Sequence, residues 1–212
     1  MTPSMEKTVH QGWTKKGAGE RYSKRRWRST RAENRDPRLV SRLIRDHASL
    51  PAGALCLDAP SGTGRLRPTL EESRLSYFGA EISGDMLRST DEARCVRADV
   101  NQLPFRDDTF DLVVCCRLLH HLQDPEARRT LLAELVRVSS NLVVLSFWDA
   151  GSWHALRRRR GWRRPRHADH RTPITRLELE GHLDAVGARV LGYRHSLRFV
   201  SPQAFAAARK IT

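Results

Sequence analysis

Long apolar runs are missing from this 212-residue chain, and lysine is nearly so: of its 38 cationic residues five are lysine and the rest arginine. No stretch approaches the ~20 consecutive apolar residues that cross a bilayer as a helix. The opening segment, MTPSMEKTVHQGW, has no apolar centre of the kind a secretory signal needs. Both absences predict a cytoplasmic protein. Cysteine is sparse: Cys56, Cys95, Cys115 and Cys116 form no CxxC pair, and each falls in or beside a strand-like run. They read as reduced core residues, not as disulfide partners or ligands, and no metal site is expected. The chain also shows no internal repeat.

What it does have is positive charge, +14 in all, unevenly placed. Residues 1–49 hold 13 Lys or Arg against 5 Asp or Glu, whereas residues 50–150 hold 11 against 15. Residues 151–171 hold 8 arginines against Asp169 alone. An ordinary acidic domain is thus flanked by basic segments. Such flanks attract nucleic acid, anionic lipid or an acidic small molecule, so contact with a membrane surface is one option. A solvated arginine-rich surface explains the same charge, and composition does not choose. The expected organisation is a basic lid or tail over 1–35, then one domain over 36–212 with a basic loop at 151–172.

Periodicity supplies the architecture. Leu39, Val40, Leu43 and Ile44 recur at helical spacing between Asp36-Pro37 and His47, with Asp36 placed to cap the helix. Strands are predicted at 54–57, 75–80, 94–98, 110–116 and 141–147. Helices are predicted after Gly64, around 84–89 and over 125–138. Thr175 and Glu178 have capping-box spacing and open a helix that Gly187 ends. Two further strands, 188–193 and 196–200, suggest an antiparallel pair at one edge. Strands alternating with helices imply an α/β, doubly wound, mostly parallel sheet of about seven strands, covered on both faces.

The most informative stretch is LCLDAPSGTGRL, residues 55–66. An apolar strand ends in Asp58, and Gly62 and Gly64 make a tight turn toward a helix. Glycine lets backbone approach a ligand without a clashing side chain. Open parallel sheets bind ligands at the carboxyl ends of their strands, where Asp58 falls. A nucleotide-type cofactor also calls for an acid about 20 residues further on for ribose hydroxyls. Glu81 stands 17 residues after Gly64, directly behind SYFGA, and Asp99 closes the third strand in VRADV. Three acids at three successive strand ends are far more specific than a lone G-x-G. A nicotinamide site would want another glycine three residues after Gly64, where Arg67 stands.

With LDAPSGTG, GAEISGDML, ADVNQLPFRDDTFDLVVC and RLLHHL, residues 37–148 resemble the class I (Rossmann-like) S-adenosylmethionine-dependent methyltransferases. Among these the chain is similar to the broad type 11 group that includes the quinone-biosynthesis enzymes. The resemblance implies S-adenosyl-L-methionine as cofactor, with Asp58, Ala59, Gly62 and Gly64 around its amino-acid portion. It further implies Glu81 on the ribose, Ile82 and Met86 near the adenine, Asp99 on the adenine amino group with Val100 alongside, and Cys116 near the methyl group. Pro60 departs from the pattern, standing where the family usually has its first glycine. Proline fits only if that position needs neither positive φ nor an N–H donor.

The acceptor is less legible. His120 and His121 follow the fourth strand and are the candidate bases, although a histidine there is common in the family whatever the substrate. Cys116-Arg117-Leu118-Leu119 replaces the motif of adenine-amino methyltransferases, and packing explains the Cys115–Cys116 pair better than a nucleophile does. Trp13, Tyr22 and Trp27 among cations, and Trp162 among eight arginines, suit stacked bases, a membrane surface or an acidic metabolite equally. The resemblance favours a small-molecule or lipid-like acceptor. RNA methylation, or cofactor binding without turnover, are the alternatives.

Overall fold

A computed structural model describes residues 35–88, 94–153, 171–197 and 201–211. Its first helix, α1 (Arg35–His47), buries Leu39, Val40, Leu43 and Ile44 and turns Arg38, Arg42 and Arg45 outward. There follow β1 (Leu55–Asp58), α2 (Arg67–Glu72), β2 (Ser76–Glu81), α3 (Gly84–Leu87), β3 (Cys95–Arg97) and β4 (Phe110–Cys115). A 3-10 turn over Leu119–His121 leads to α4 (Pro125–Val138) and β5 (Ser139–Trp148). The chain ends with α5 (Arg176–Asp184), β6 (Ala188–His195) and β7 (Gln203–Lys210).

The strands form one seven-stranded sheet in the order β3-β2-β1-β4-β5-β7-β6. β1 through β5 pair in parallel, and β7 runs antiparallel to both β5 and β6. Successive residues of a strand point to opposite faces, which divides the core in two. Leu57, Val113, Val143 and Ala206 pack under Leu131, Leu132 and Leu135 of α4 and Leu179 of α5. Cys56, Leu112, Val144 and Phe205 face Leu39, Leu43 and Ile44 of α1 and Leu70 of α2. Covering both faces explains why β4 and β5 read as nearly continuous apolar runs.

Asp124 caps α4, its carboxylate accepting from the Glu126 N–H at 3.1 Å, and Pro125 occupies the first turn. Thr175 caps α5 by accepting from the Glu178 N–H. Three expectations need correction. Asp36 does not cap α1: the helix already begins at Arg35, and the carboxylate turns inward to two arginines. The helix after the glycine turn starts at Arg67, not beside Gly64. The last strand is Gln203–Lys210; Ser196 and Leu197 lie in a bend, and 198–200 fall outside the described residues. Alanine is depleted in strands, so AFAAA gives a weak strand signal, but β7 is held between two neighbours in a register that pairs Trp148 with Gln203. The reversed strand therefore lies one place in from the edge, which β6 occupies.

The expected lid over 1–35 lies outside the described residues except for Arg35, as does 154–170 of the basic loop. Among the described residues no helix is long and apolar enough to cross a membrane.

Candidate functional site

A cavity of about 410 Å³ opens beyond the carboxyl ends of β1, β2 and β4. Its walls include Asp58, Gly62, Glu81, Ile82, Met86, Asp99, Val100, Cys116 and His121. Residues spread over 64 positions of sequence thus share one space. Ala59, Gly64 and His120 are not in that lining.

The turn after β1 is held from both sides. Ala59 N–H donates to Val114 O at 2.9 Å, and Ser61 N–H donates to Ala80 O at 2.9 Å. Gly62 and Gly64 adopt φ of 58° and 72°, the left-handed region that glycine occupies without strain. Pro60 is preceded by a cis peptide bond and is not among the positive-φ residues, so the loop takes its left-handed turns elsewhere. Gly79 of β2 closes the arrangement: a Cβ there would lie 2.8 Å from Cys95 Sγ and 3.0 Å from Ser61 Oγ.

Asp58 is 1% exposed. Tyr77 donates its hydroxyl to one carboxylate oxygen at 3.4 Å, while Oδ1 is buried with no hydrogen-bond partner among the described residues. Burial pushes its carboxyl up to about 7, with nearby Glu81 adding to the shift and Arg65 and the Tyr77 hydrogen bond opposing it. Glu81 Oε2 accepts from the Gly62 N–H and Oε1 from the Ser83 N–H, both at 2.9 Å. It ties the glycine turn to β2 while lining the cavity. Asp99 lies two residues past β3, where its Oδ1 accepts from the Asn101 N–H and side-chain amide.

The two histidines part company. His121 reaches the cavity. His120 is 1% exposed and stacks on Trp148, ring centroids 5.1 Å apart. Cys116 lines the cavity and also packs against the core cluster that holds Cys56, Leu112 and Val144. Burial, with Asp36 nearby, pushes its thiol up to about 12, so it is neutral and a poor nucleophile at ordinary pH.

Sequence reasoning missed one cluster. Arg65 and Arg117 both line the cavity and both donate to Asp36 Oδ2, at 3.0 and 2.5 Å. Their places directly after Gly64 and Cys116 were the available signal. Only folding brings Asp36, 81 positions upstream of Arg117, onto them. Among the described residues no group of His, Cys, Asp or Glu has the makings of a metal site.

A mostly parallel seven-stranded sheet in this order, with one reversed strand, is the Rossmann-like methyltransferase fold. Residues 57–144 match the family described as methyltransferase domain. That match, with the sheet order, identifies a class I S-adenosylmethionine-dependent methyltransferase domain within the chain. It is 32% identical over 112 residues to a demethylmenaquinone methyltransferase of Corynebacterium urealyticum, covering 52% of this chain and 49% of that protein. It is 31% identical over 109 residues to a tRNA (carboxymethyluridine(34)-5-O)-methyltransferase of Arabidopsis thaliana, covering 48% of this chain and 26% of that protein. The chain therefore spans a quarter to a half of the length of these curated relatives. The fold matches a magnesium protoporphyrin IX methyltransferase of Synechocystis solved with bound SAH: TM-score 0.68, 18% identity, covering 85% of this chain and 84% of that one.

Proposed function

We propose that the chain transfers a methyl group from S-adenosylmethionine to a small-molecule or lipid-like acceptor at this cavity. The observation that carries the cofactor half is Asp58 Oδ1, a buried carboxylate oxygen with no hydrogen-bond partner among the described residues, at the edge of a glycine-built turn. An unsatisfied buried acceptor of this kind is costly until a donor arrives, and an ammonium group suits it. Asp58 therefore takes the amino group of the cofactor's amino-acid portion, with Ala59, Gly62 and Gly64 around it. Glu81 holds the ribose hydroxyls. Ile82, Met86 and Val100 pack on the adenine, and Asp99 accepts from its amino group.

S-adenosylmethionine supplies a methyl group already activated by its sulfonium. The protein has to contribute proximity, alignment and exclusion of water. Cys116 presents backbone and a neutral thiol where transfer takes place. A base is needed only for an acceptor that is protonated at working pH. We assign that role to His121, which lines the cavity, rather than to His120, which is buried and stacked on Trp148. The demethylmenaquinone relative supports a small-molecule or lipid-like acceptor.

RNA is the second reading, supported by the tRNA-directed relative and by α1. Arg38, Arg42 and Arg45 form an exposed stripe on that helix, with no salt bridge among the described residues. One experiment separates these readings. The pure protein is incubated with methyl-labelled S-adenosylmethionine and a host-cell extract, and label is counted in small-molecule, lipid, RNA and protein fractions. Label in the first two supports the proposal. Label in RNA overturns its acceptor, and cofactor binding with no label anywhere overturns catalysis.

A further inference from the structure

Two arginines stand side by side near the start of α4 and take opposite courses. Arg129 lies on the surface and pairs with Glu126 at 3.2 Å. Arg128 is buried, 3% exposed, beside Ala127, Leu131 and Leu132, which the same helix sends into the core. Its Nη1 donates to Leu122 O at 2.8 Å and to Gln123 O at 3.2 Å, the two carbonyls that follow the 3-10 turn over Leu119–His121. Its Nη2 donates to Glu178 Oε1 of α5 at 2.7 Å. Taking a guanidinium out of water is expensive, and an apolar side chain of similar size would fill the same space without that cost. An apolar side chain could not hold the two carbonyls.

Those carbonyls belong to the cavity wall, which both His121 and Leu122 line. The turn is gripped on its other side as well, where the Thr172 N–H donates to His120 O at 2.8 Å. Both grips lead to one stretch of chain: Thr172 acts directly, and Glu178 acts through Arg128. Glu178 is itself fixed, its N–H donating to Thr175 Oγ1 at 3.1 Å, with His182 Nε2 at 3.7 Å from Oε1. Resting on the methyltransferase reading above, we infer that Arg128, anchored by Glu178, is a positioning residue that sets where His121 and Leu122 stand in the cavity wall. The planar guanidinium presents its donors in a rigid fork, which fixes two carbonyls and a carboxylate in one geometry; an ammonium on a flexible stem does not. Methyl transfer depends on alignment, so a small displacement of this wall matters.

The test compares wild type with Arg128→Met, Arg128→Lys and Glu178→Gln. The His121 Cε1–H signal, assigned with His121→Gln, is followed by NMR without ligand and during titration with S-adenosylhomocysteine. In wild type the ligand should move this signal saturably. Arg128→Met should displace or broaden the ligand-free signal and weaken S-adenosylhomocysteine at least threefold. Arg128→Lys should not restore either property. Glu178→Gln changes a half-exposed side chain, should fold, and should disturb the signal in the same direction but less. Leu43→Ala, in the core on the opposite face of the sheet, lowers stability without touching the turn and should leave the signal in place. An Arg128→Met variant with the wild-type signal and affinity overturns the inference, as does an equal disturbance in Leu43→Ala. If Arg128→Met fails to fold, Glu178→Gln and Arg128→Lys decide by the same criteria. Wild type that binds no S-adenosylhomocysteine overturns the methyltransferase reading instead, and the ligand-free signal then decides the positioning alone.

Discussion

Asp58 illustrates how one side chain's environment becomes measurable. An ordinary aspartate titrates near 3.8, and burial moves this one to about 7. Its folded-state pKa is raised, so between those values the folded protein holds a proton that the unfolded chain releases. The stabilising contribution is complete below about pH 4 and is lost as pH rises through 7. Ligand-free protein should therefore melt at progressively lower temperature from pH 5 to pH 7.5. Asp58→Asn should flatten that part of the profile, and calorimetry at constant ionic strength checks both. A bound ammonium favours the carboxylate, so S-adenosylhomocysteine affinity should rise over the same range. A profile identical in wild type and Asp58→Asn would remove Asp58 from the site. The residue's presence was legible from LCLD alone; its protonation was not, because that depends on Tyr77, Glu81 and Arg65 arriving from other segments.

At the scale of elements, the site depends on how loops are tied to helices. Arg137, in the last turn of α4, donates to Phe105 O at 2.9 Å and Leu103 O at 3.2 Å, and pairs with Glu134 and Asp107 at 2.7 Å. Glu134 in turn accepts from the Leu103 N–H at 2.7 Å, and its carboxyl is held below the usual range chiefly by the Arg137 hydrogen bond. This network braces the segment that carries Asp99, Val100 and Asn101. Arg137→Ala should cost about 1–3 kcal/mol by leaving those carbonyls and carboxylates poorly satisfied. It should also weaken S-adenosylhomocysteine binding severalfold, seen by denaturation and titration of the same sample. Unchanged affinity in a destabilised variant would show that the segment keeps its shape unaided. The sequence showed the helix over 125–138 and the strand before it through apolar periodicity. It did not show that Arg137 reaches back some 30 residues, since side-chain networks leave no period. The mistaken last strand has the same origin: alanines 204 and 206–208 carry little intrinsic preference, and pairing with β5 and β6 settles their state.

For the whole molecule the open question is what the +14 charge is for. If the acceptor is a small molecule, only a few contacts are electrostatic. Turnover should then fall no more than about threefold between 50 and 200 mM salt. A nucleic-acid acceptor gripped through 6–10 phosphates would lose roughly 10³–10⁵ in affinity over that range, so initial rates with the labelled acceptor fraction at several salt concentrations decide. The sequence by itself determined the alternation of strands and helices, the glycine turn and the acids at 58, 81 and 99, because each is a local pattern of period or chain position. Only the tertiary structure decided the place of β7, the separation of His120 from His121, and the meeting of Asp36 with Arg65 and Arg117. Those outcomes rest on contacts between distant segments, where burial and pairing outweigh anything a neighbouring residue can signal.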